Sequence, residues 1–129
     1  MENALRAALL RWLRDDPLLA ERLNAVEEES PLRATPPVLG IAASAAADWS
    51  VKDRAGREVR VALELVDHTD DPGATAALAD AVERRVAAMM PGQDGFDLVG
   101  VHFLRSRTER RPRNQRAVLI EYRFLVLEI

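Results

Sequence analysis

The 129-residue sequence contains no cysteine, which excludes disulfide bonds, thiolate nucleophiles and cysteine-ligated zinc. Lysine is almost absent, because seventeen of the eighteen basic residues are arginine. Aromatic residues make up 5% of the chain, and the six glycines are scattered, so no glycine-rich loop that could cradle a phosphate is present. Stability must therefore come from the packing of aliphatic side chains or from association.

Long apolar runs are also missing. The N-terminal segment carries Glu2, Arg6, Arg11 and Arg14 among its apolar residues, a pattern that excludes a signal-peptide core and a membrane span. The net charge of -3 argues against a surface built to hold a polyanion, since DNA affinity of that kind needs many cationic contacts. We expect one domain, residues 1–129, located in the cytoplasm.

The apolar spacing predicts two helices before the first strand. Apolar residues three and four apart from Ala4 to Leu13 indicate an amphipathic helix. Asp16 and Pro17 are typical of the N-cap and first turn of a second, short helix. The segment from Asn24 to Pro37 has three prolines and no period, which predicts a connecting loop.

The rest of the chain predicts two hairpins separated by one helix. Branched residues after Pro37 favour a strand to Asp48, and Val59, Val61 and Leu63 alternate with polar residues, as in a half-buried strand. The predicted elements are a strand ending at Asp48, a strand from Arg57 to Val66, a helix from Asp71-Pro72 to about Met90, and strands from Asp97 to Arg107 and Gln115 to Glu128. These elements predict an α+β fold of order α-α-β-β-α-β-β, a four-stranded antiparallel sheet with helices on one face.

Three stretches carry a resemblance to a known family. They are "ALRAALLRWLRDDPLLAERL", "PPVLG" and "DWSVKDRAGREVRVALEL". The chain resembles the small tail-completion proteins, or tail terminators, of long-tailed phages, prophages and gene transfer agents. The resemblance implies a structural protein that forms a ring, with six copies suspected, caps the tail tube and joins it to the head-tail connector. It also implies that DNA passes through the ring without specific binding.

The segment "RSRTERRPRNQR" holds six arginines within twelve residues, between the last two predicted strands. Strands of about ten residues reach roughly 33 Å, so we expect the tip of this hairpin to project into solvent. Repulsion among its arginines favours an acidic partner surface, for which Asp15-Asp16, Glu27 to Glu29 and Asp67 to Asp71 of a second copy are candidates. The alternatives are a solvated loop and a nucleic-acid-binding module.

Trp49 has two interpretations, an anchor of an interface or a partly buried residue that closes the core, whereas Trp12 lies on an apolar helix stripe and is predicted to be core. His68 and Asp70 could in principle serve a metal-dependent hydrolase, but consecutive residues rarely converge on one ion. We predict no enzyme activity, no catalytic residue, no cofactor and no metal. The predicted interface residues are Asp48, Trp49, Arg105, Arg107, Arg110, Arg111, Arg113 and Arg116.

Overall fold

A computed structural model describes residues 1–28 and 34–129 and gives three helices and six strands in that part of the chain. In chain order they are α1 Glu2–Arg14, α2 Pro17–Arg22, β1 Ala25–Glu27, β2 Val38–Asp48, β3 Gly56–Asp67, α3 Pro72–Ala87, β4 Gly92–Gln93, β5 Phe96–Arg111 and β6 Gln115–Glu128. The predicted α+β class is confirmed. None of the helices in these residues is long and apolar enough to cross a membrane.

The helix starts follow from their caps. The carboxylate of Asp16 accepts a hydrogen bond from the Leu19 amide at 3.0 Å, and Pro17 occupies the first turn of α2. The carboxylate of Asp71 accepts from the Gly73 amide at 2.9 Å at the start of α3. Both caps satisfy amide donors that lack a partner within the helix, as predicted.

The sheet has six strands, so the prediction of a four-stranded sheet was wrong. Its order is β1-β2-β3-β6-β5-β4, so a short strand is added at each side of the four predicted ones. β1 pairs parallel with Val38–Gly40 of β2, and β4 pairs with Phe96 and Asp97. The sheet is therefore mixed rather than purely antiparallel. Strands of two and three residues are too short to show a period of two, so the sequence pattern gave no sign of them.

The predicted loop from Asn24 to Pro37 thus contains β1. Glu29 to Arg33, including the last glutamate of the acidic run, lie outside the described residues. The four longer strands form the two predicted hairpins, β2-β3 and β5-β6, which are joined by antiparallel pairing of β3 with β6.

The core lies between the helices and one face of the sheet. Side chains that alternate along β3 are fully buried, and they share one apolar cluster with residues of all three helices. Examples of that cluster are Leu5, Leu9, Leu19, Val61, Leu63, Leu78 and Val82. The face opposite the helices, formed by Glu58, Arg60, Ala62, Glu64 and their neighbours in β2, β5 and β6, is called the open face below.

Candidate interaction surfaces

The arginine-rich segment is mostly regular strand. β5 continues to Arg111, beyond the predicted end at Arg107, and Gln115 pairs with Arg111 across the turn. The turn therefore has three residues, Pro112 to Asn114, and Arg113 and Asn114 have φ angles of 64° and 58°, in the left-handed region that tight hairpin turns use. The segment is therefore a hairpin with a tight turn, not a long basic loop.

Three of the six arginines in the arginine-rich segment make ion pairs with carboxylates of the same chain. The pKa of Arg105 is raised by its hydrogen bond to Glu121, and the pKa of Arg111 is raised mainly by its hydrogen bond to Glu64. These cations are therefore not free to attract an acidic partner at full strength. The ion pairs are Arg105 with Glu121, Arg107 with Glu109 at 3.1 Å, Arg111 with Glu64 at 2.9 Å and Arg111 with Glu109 at 3.3 Å.

The tip of the hairpin contacts the connection between β3 and α3. The side-chain amide of Asn114 donates to Asp70 at 2.5 Å, and Arg116 donates to the carbonyl of Thr69 at 3.4 Å. The tip residues Pro112, Arg113 and Asn114 are exposed, as expected, but these two hydrogen bonds also tie the base of the turn to the β3-α3 connection. Arg110 and Arg113 are exposed and make no ion pair among residues 1–28 and 34–129.

Charges on the open face also neutralise one another. Glu58 accepts hydrogen bonds from Arg123 at 2.8 Å and from Arg60 at 3.1 Å. These bonds, that from Arg123 first, lower the pKa of Glu58 below its ordinary value. Together with the ion pairs of the hairpin described above, five arginines form ion pairs with four glutamates on this face. The open face is therefore a mixed-charge surface rather than a basic patch.

A hydrogen-bonded turn holds Trp49. The Ser50 hydroxyl donates to the Asp48 carboxylate at 2.7 Å and accepts from the Gly56 amide at 3.1 Å. The Trp49 amide donates to the Gly56 carbonyl at 3.0 Å, and Arg57 lies 3.4 Å from the Asp48 carboxylate. Trp49 is half-buried and Asp48 is exposed. The geometry explains the "DWS…G" spacing as a turn, and an interface role of these two residues stays a prediction.

The acidic stretch around His68 serves the fold. The buried carboxylate of Asp67 accepts from the Thr75 hydroxyl at 3.1 Å and from the His68 amide at 2.8 Å. Asp71 caps α3, and Asp70 bonds Asn114. Within the described ranges, no group of three histidine, aspartate or glutamate side chains could hold a metal ion. A hydrolase centred on His68 therefore has no assembled site in this part of the molecule.

Trp12 packs against the core and binds Arg85. Its indole N–H donates to the Arg85 carbonyl at 2.6 Å, and the Arg85 Nε donates to the Trp12 carbonyl at 2.8 Å. The Arg85 guanidinium lies 3.4 Å from the centroid of the indole ring, which is cation-π geometry. The prediction that Trp12 belongs to the core is supported by its contacts with the buried cluster.

Sequence reasoning missed the exposed apolar side chains of β5, which lie on both faces of that strand. Val99, Phe103 and Leu104 are 49%, 50% and 42% exposed, although β6 beside them is largely buried. The Phe103 ring meets the edge of the Tyr122 ring at a centroid distance of 5.9 Å. Exposed apolar side chains along one strand are typical of a surface that binds another protein.

A groove of about 470 Å³ lies between β5 and α3 and is lined by Val101, Phe103, Tyr122, Glu83 and Ala87, among others. The Tyr122 hydroxyl is buried and has no hydrogen-bond partner within the described part of the chain. Burial raises the pKa of Tyr122, and burial also raises the pKa of Glu83, with a smaller contribution from Asp80. The groove is therefore mostly apolar, and its α3 wall carries the opposite charges of Glu83 and Arg84.

Comparison with known proteins gives the family. The model of the family described as tail completion protein gp17 matches residues 7–127. The chain belongs to this tail completion family. Membership of this family gives the chain a structural role in a phage-type tail. The expected family is thus confirmed.

Solved structures agree with this family. One chain from the virion of a native gene transfer agent particle superposes with a TM-score of 0.84 and 25% sequence identity. The match covers 97% of this chain and 96% of that chain. A search of curated proteins gave no match. The tail completion fold therefore extends over nearly the whole length of the molecule.

Proposed function

We propose that this protein is a tail terminator, which forms a ring that caps the tail tube and joins it to the head-tail connector of a phage-like particle. The observation that carries this proposal is the tail completion family over residues 7–127, together with the matching chain from a gene transfer agent virion. The expected ring has six copies. Its partners are other copies of this chain, the tail tube protein and the connector, and it acts after assembly in the cytoplasm.

The charge distribution supports a passage that does not hold DNA. Phosphate binding grows with the number of cations that release counterions, and three of the six hairpin arginines are already paired with carboxylates. The predicted interface residues remain the proposed contacts with neighbours: Asp48, Arg105, Arg107, Arg110 and Arg113 are exposed, and Trp49, Arg111 and Arg116 are half-buried. Arg105, Arg107 and Arg111 also stabilise the hairpin through their ion pairs.

Particle assembly tests the proposal. The purified chain, alone and mixed with tail tubes, is examined by light scattering for mass and by electron microscopy for shape. We expect closed rings at one end of each tube, and particles lacking this protein should carry tails that do not join heads. A chain that stays monomeric in both samples and is absent from particles would contradict the proposal.

A second candidate is DNA binding through the hairpin, favoured by the exposed Arg110 and Arg113, which make no ion pair in the described part of the chain. Two free cations would give a slope of roughly -2 in a plot of log affinity against log salt concentration. The alanine triple variant of Arg110, Arg111 and Arg113 should then abolish binding, whereas Arg84→Ala on α3 should not. We expect no DNA binding at physiological salt from the wild-type chain, and a steep salt-dependent affinity would favour this candidate.

A further inference from the structure

The sheet ends in two unpaired strand edges within the described residues. β1 pairs with β2 only as far as Gly40, so the segment Ile41–Asp48, called the β2 edge, has β3 as its one strand neighbour. β4 pairs only with Phe96 and Asp97, and the Leu98 amide donates to the Pro91 carbonyl. The segment Val99–Arg111, called the β5 edge, therefore has β6 alone beside it. Such edges present free backbone donors and acceptors to another strand.

Side chains on the two edges differ in size in a complementary way. The β2 edge carries exposed alanines on both faces, which leave room for a neighbouring strand. The β5 edge carries the bulky, exposed Val99, Phe103 and Leu104. Large side chains beside small ones interdigitate without voids, whereas two β5 edges would bring large side chains and the charges of Arg105 and Arg107 against each other. The occupant that fits the β5 edge is therefore the β2 edge of a second copy.

Strand direction agrees with this pairing. Each neighbour in the series β2-β3-β6-β5 is antiparallel, so β2 and β5 run in opposite directions. In a ring made by rotation, all copies point the same way along the axis, and β2 of one copy meets β5 of the next antiparallel. We propose that the β2 edge of each copy pairs antiparallel with the β5 edge of its neighbour, which joins the sheets of all copies into one closed wall. This inference rests on the proposed ring.

A depression of about 170 Å³ on the open face is lined by Ala43 and Ala45 of β2 and by Leu104 of β5, the two outer strands of the four-stranded centre. On this face the β2 edge therefore carries small side chains and the β5 edge a bulky one, which agrees with the complementarity of the two edges.

The absence of cysteine makes a cross-linking test specific, because every disulfide must join introduced residues. Ala46→Cys on β2 and Ser106→Cys on β5 lie on the helix face of the sheet and are exposed. Thr108→Cys covers the neighbouring position on that face, and Val101→Cys covers the position beyond Phe103. In an antiparallel pair, opposite Cα atoms lie about 4.5–5.5 Å apart, within disulfide range. His102→Cys, on the open face, is the matched control.

After mild oxidation of ring preparations, a mixture of Ala46→Cys chains with one of the three helix-face β5 variants should form dimers that contain both variants. Chains carrying both substitutions should form a ladder of linked copies up to the closed ring. Each single variant alone, and Ala46→Cys mixed with His102→Cys, should stay largely unlinked. These results together support the pairing.

Three outcomes would overturn it. Rings without mixed dimers in any of the three registers would refute the edge pairing and leave the tail terminator proposal intact. Efficient linking of Ser106→Cys chains to one another would show a two-fold β5-β5 contact instead. A chain that is monomeric alone and with tail tubes would refute both the pairing and the ring.

Discussion

Among the glycines of the described residues, Gly56 is the one where an added methyl group should lower the stability of the fold most. A Cβ built on Gly56 would lie 2.5 Å from the Trp49 carbonyl oxygen, 2.8 Å from Leu127 Cδ2 and 3.0 Å from the Val126 carbonyl oxygen. Two of these atoms belong to the backbone, so no rotation of a side chain relieves the contacts. Gly56→Ala must therefore displace the Trp49 turn from β3 or β3 from β6.

The cost follows from overpacking in a well-packed region, about 2 kcal/mol in the free energy of unfolding. For a chain of 129 residues, an unfolding entropy of about 2.1 cal/mol/K per residue converts this to a fall of about 7 °C in Tm. Thermal melts followed by circular dichroism, and urea melts followed by tryptophan fluorescence, measure the two quantities.

Gly92→Ala is the matched control, because a Cβ there meets nothing within 4 Å. Its free energy of unfolding should stay within about 0.5 kcal/mol of the wild-type value, as for most surface changes. Equal stability of Gly56→Ala and Gly92→Ala would refute the reasoning, since the close approach of Trp49 to β3 would then not constrain the fold.

Three further predictions concern named contacts. Arg85→Ala removes the cation-π contact with Trp12 and should lower the free energy of unfolding in urea by about 2 kcal/mol, whereas the exposed Arg84→Ala should leave it unchanged. Asp71→Ala removes the α3 cap and should lower it by about 1 kcal/mol in the same assay. The pKa of Glu58 is lowered in the folded protein, so ionised Glu58 stabilises the fold at pH values above its ordinary pKa of 4.5. This stabilisation is lost as the pH falls through the lowered pKa of the folded state. Acid titration of Glu58→Gln should therefore show less loss of stability than wild type.

Local signals in the sequence predicted the longer elements. Asp16 and Asp71 each precede a proline, and this pair fixes a helix start because cap and first turn are set by adjacent residues. The alternation along β3 is visible because one face of that strand is buried throughout. β1 and β4 could not be predicted in this way, since their pairing depends on where β2 and β5 lie in the folded chain.

The candidate surfaces were only partly accessible to sequence reasoning. The arginines were visible as a cluster, but two of their three carboxylate partners are distant in sequence: Glu64 is 47 residues from Arg111, and Glu121 is 16 residues from Arg105. Only the register of β3, β6 and β5 brings these groups together. Strand edges were equally hidden, because a strand is an edge only by virtue of the strand order.

The alanines of the β2 edge connect the fold to assembly. Alanine is disfavoured in strands, and the first four residues of β2 are buried whereas nearly all of those after Ile41 are exposed. Burial within one copy therefore gives no reason for a strand of this composition to continue to Asp48. A neighbouring strand with bulky side chains does give one, because small side chains let two backbones pair while Phe103 and Leu104 of the next copy cover them. The stretch whose local propensity conflicts most with its structure is thus the stretch that another copy is expected to complete.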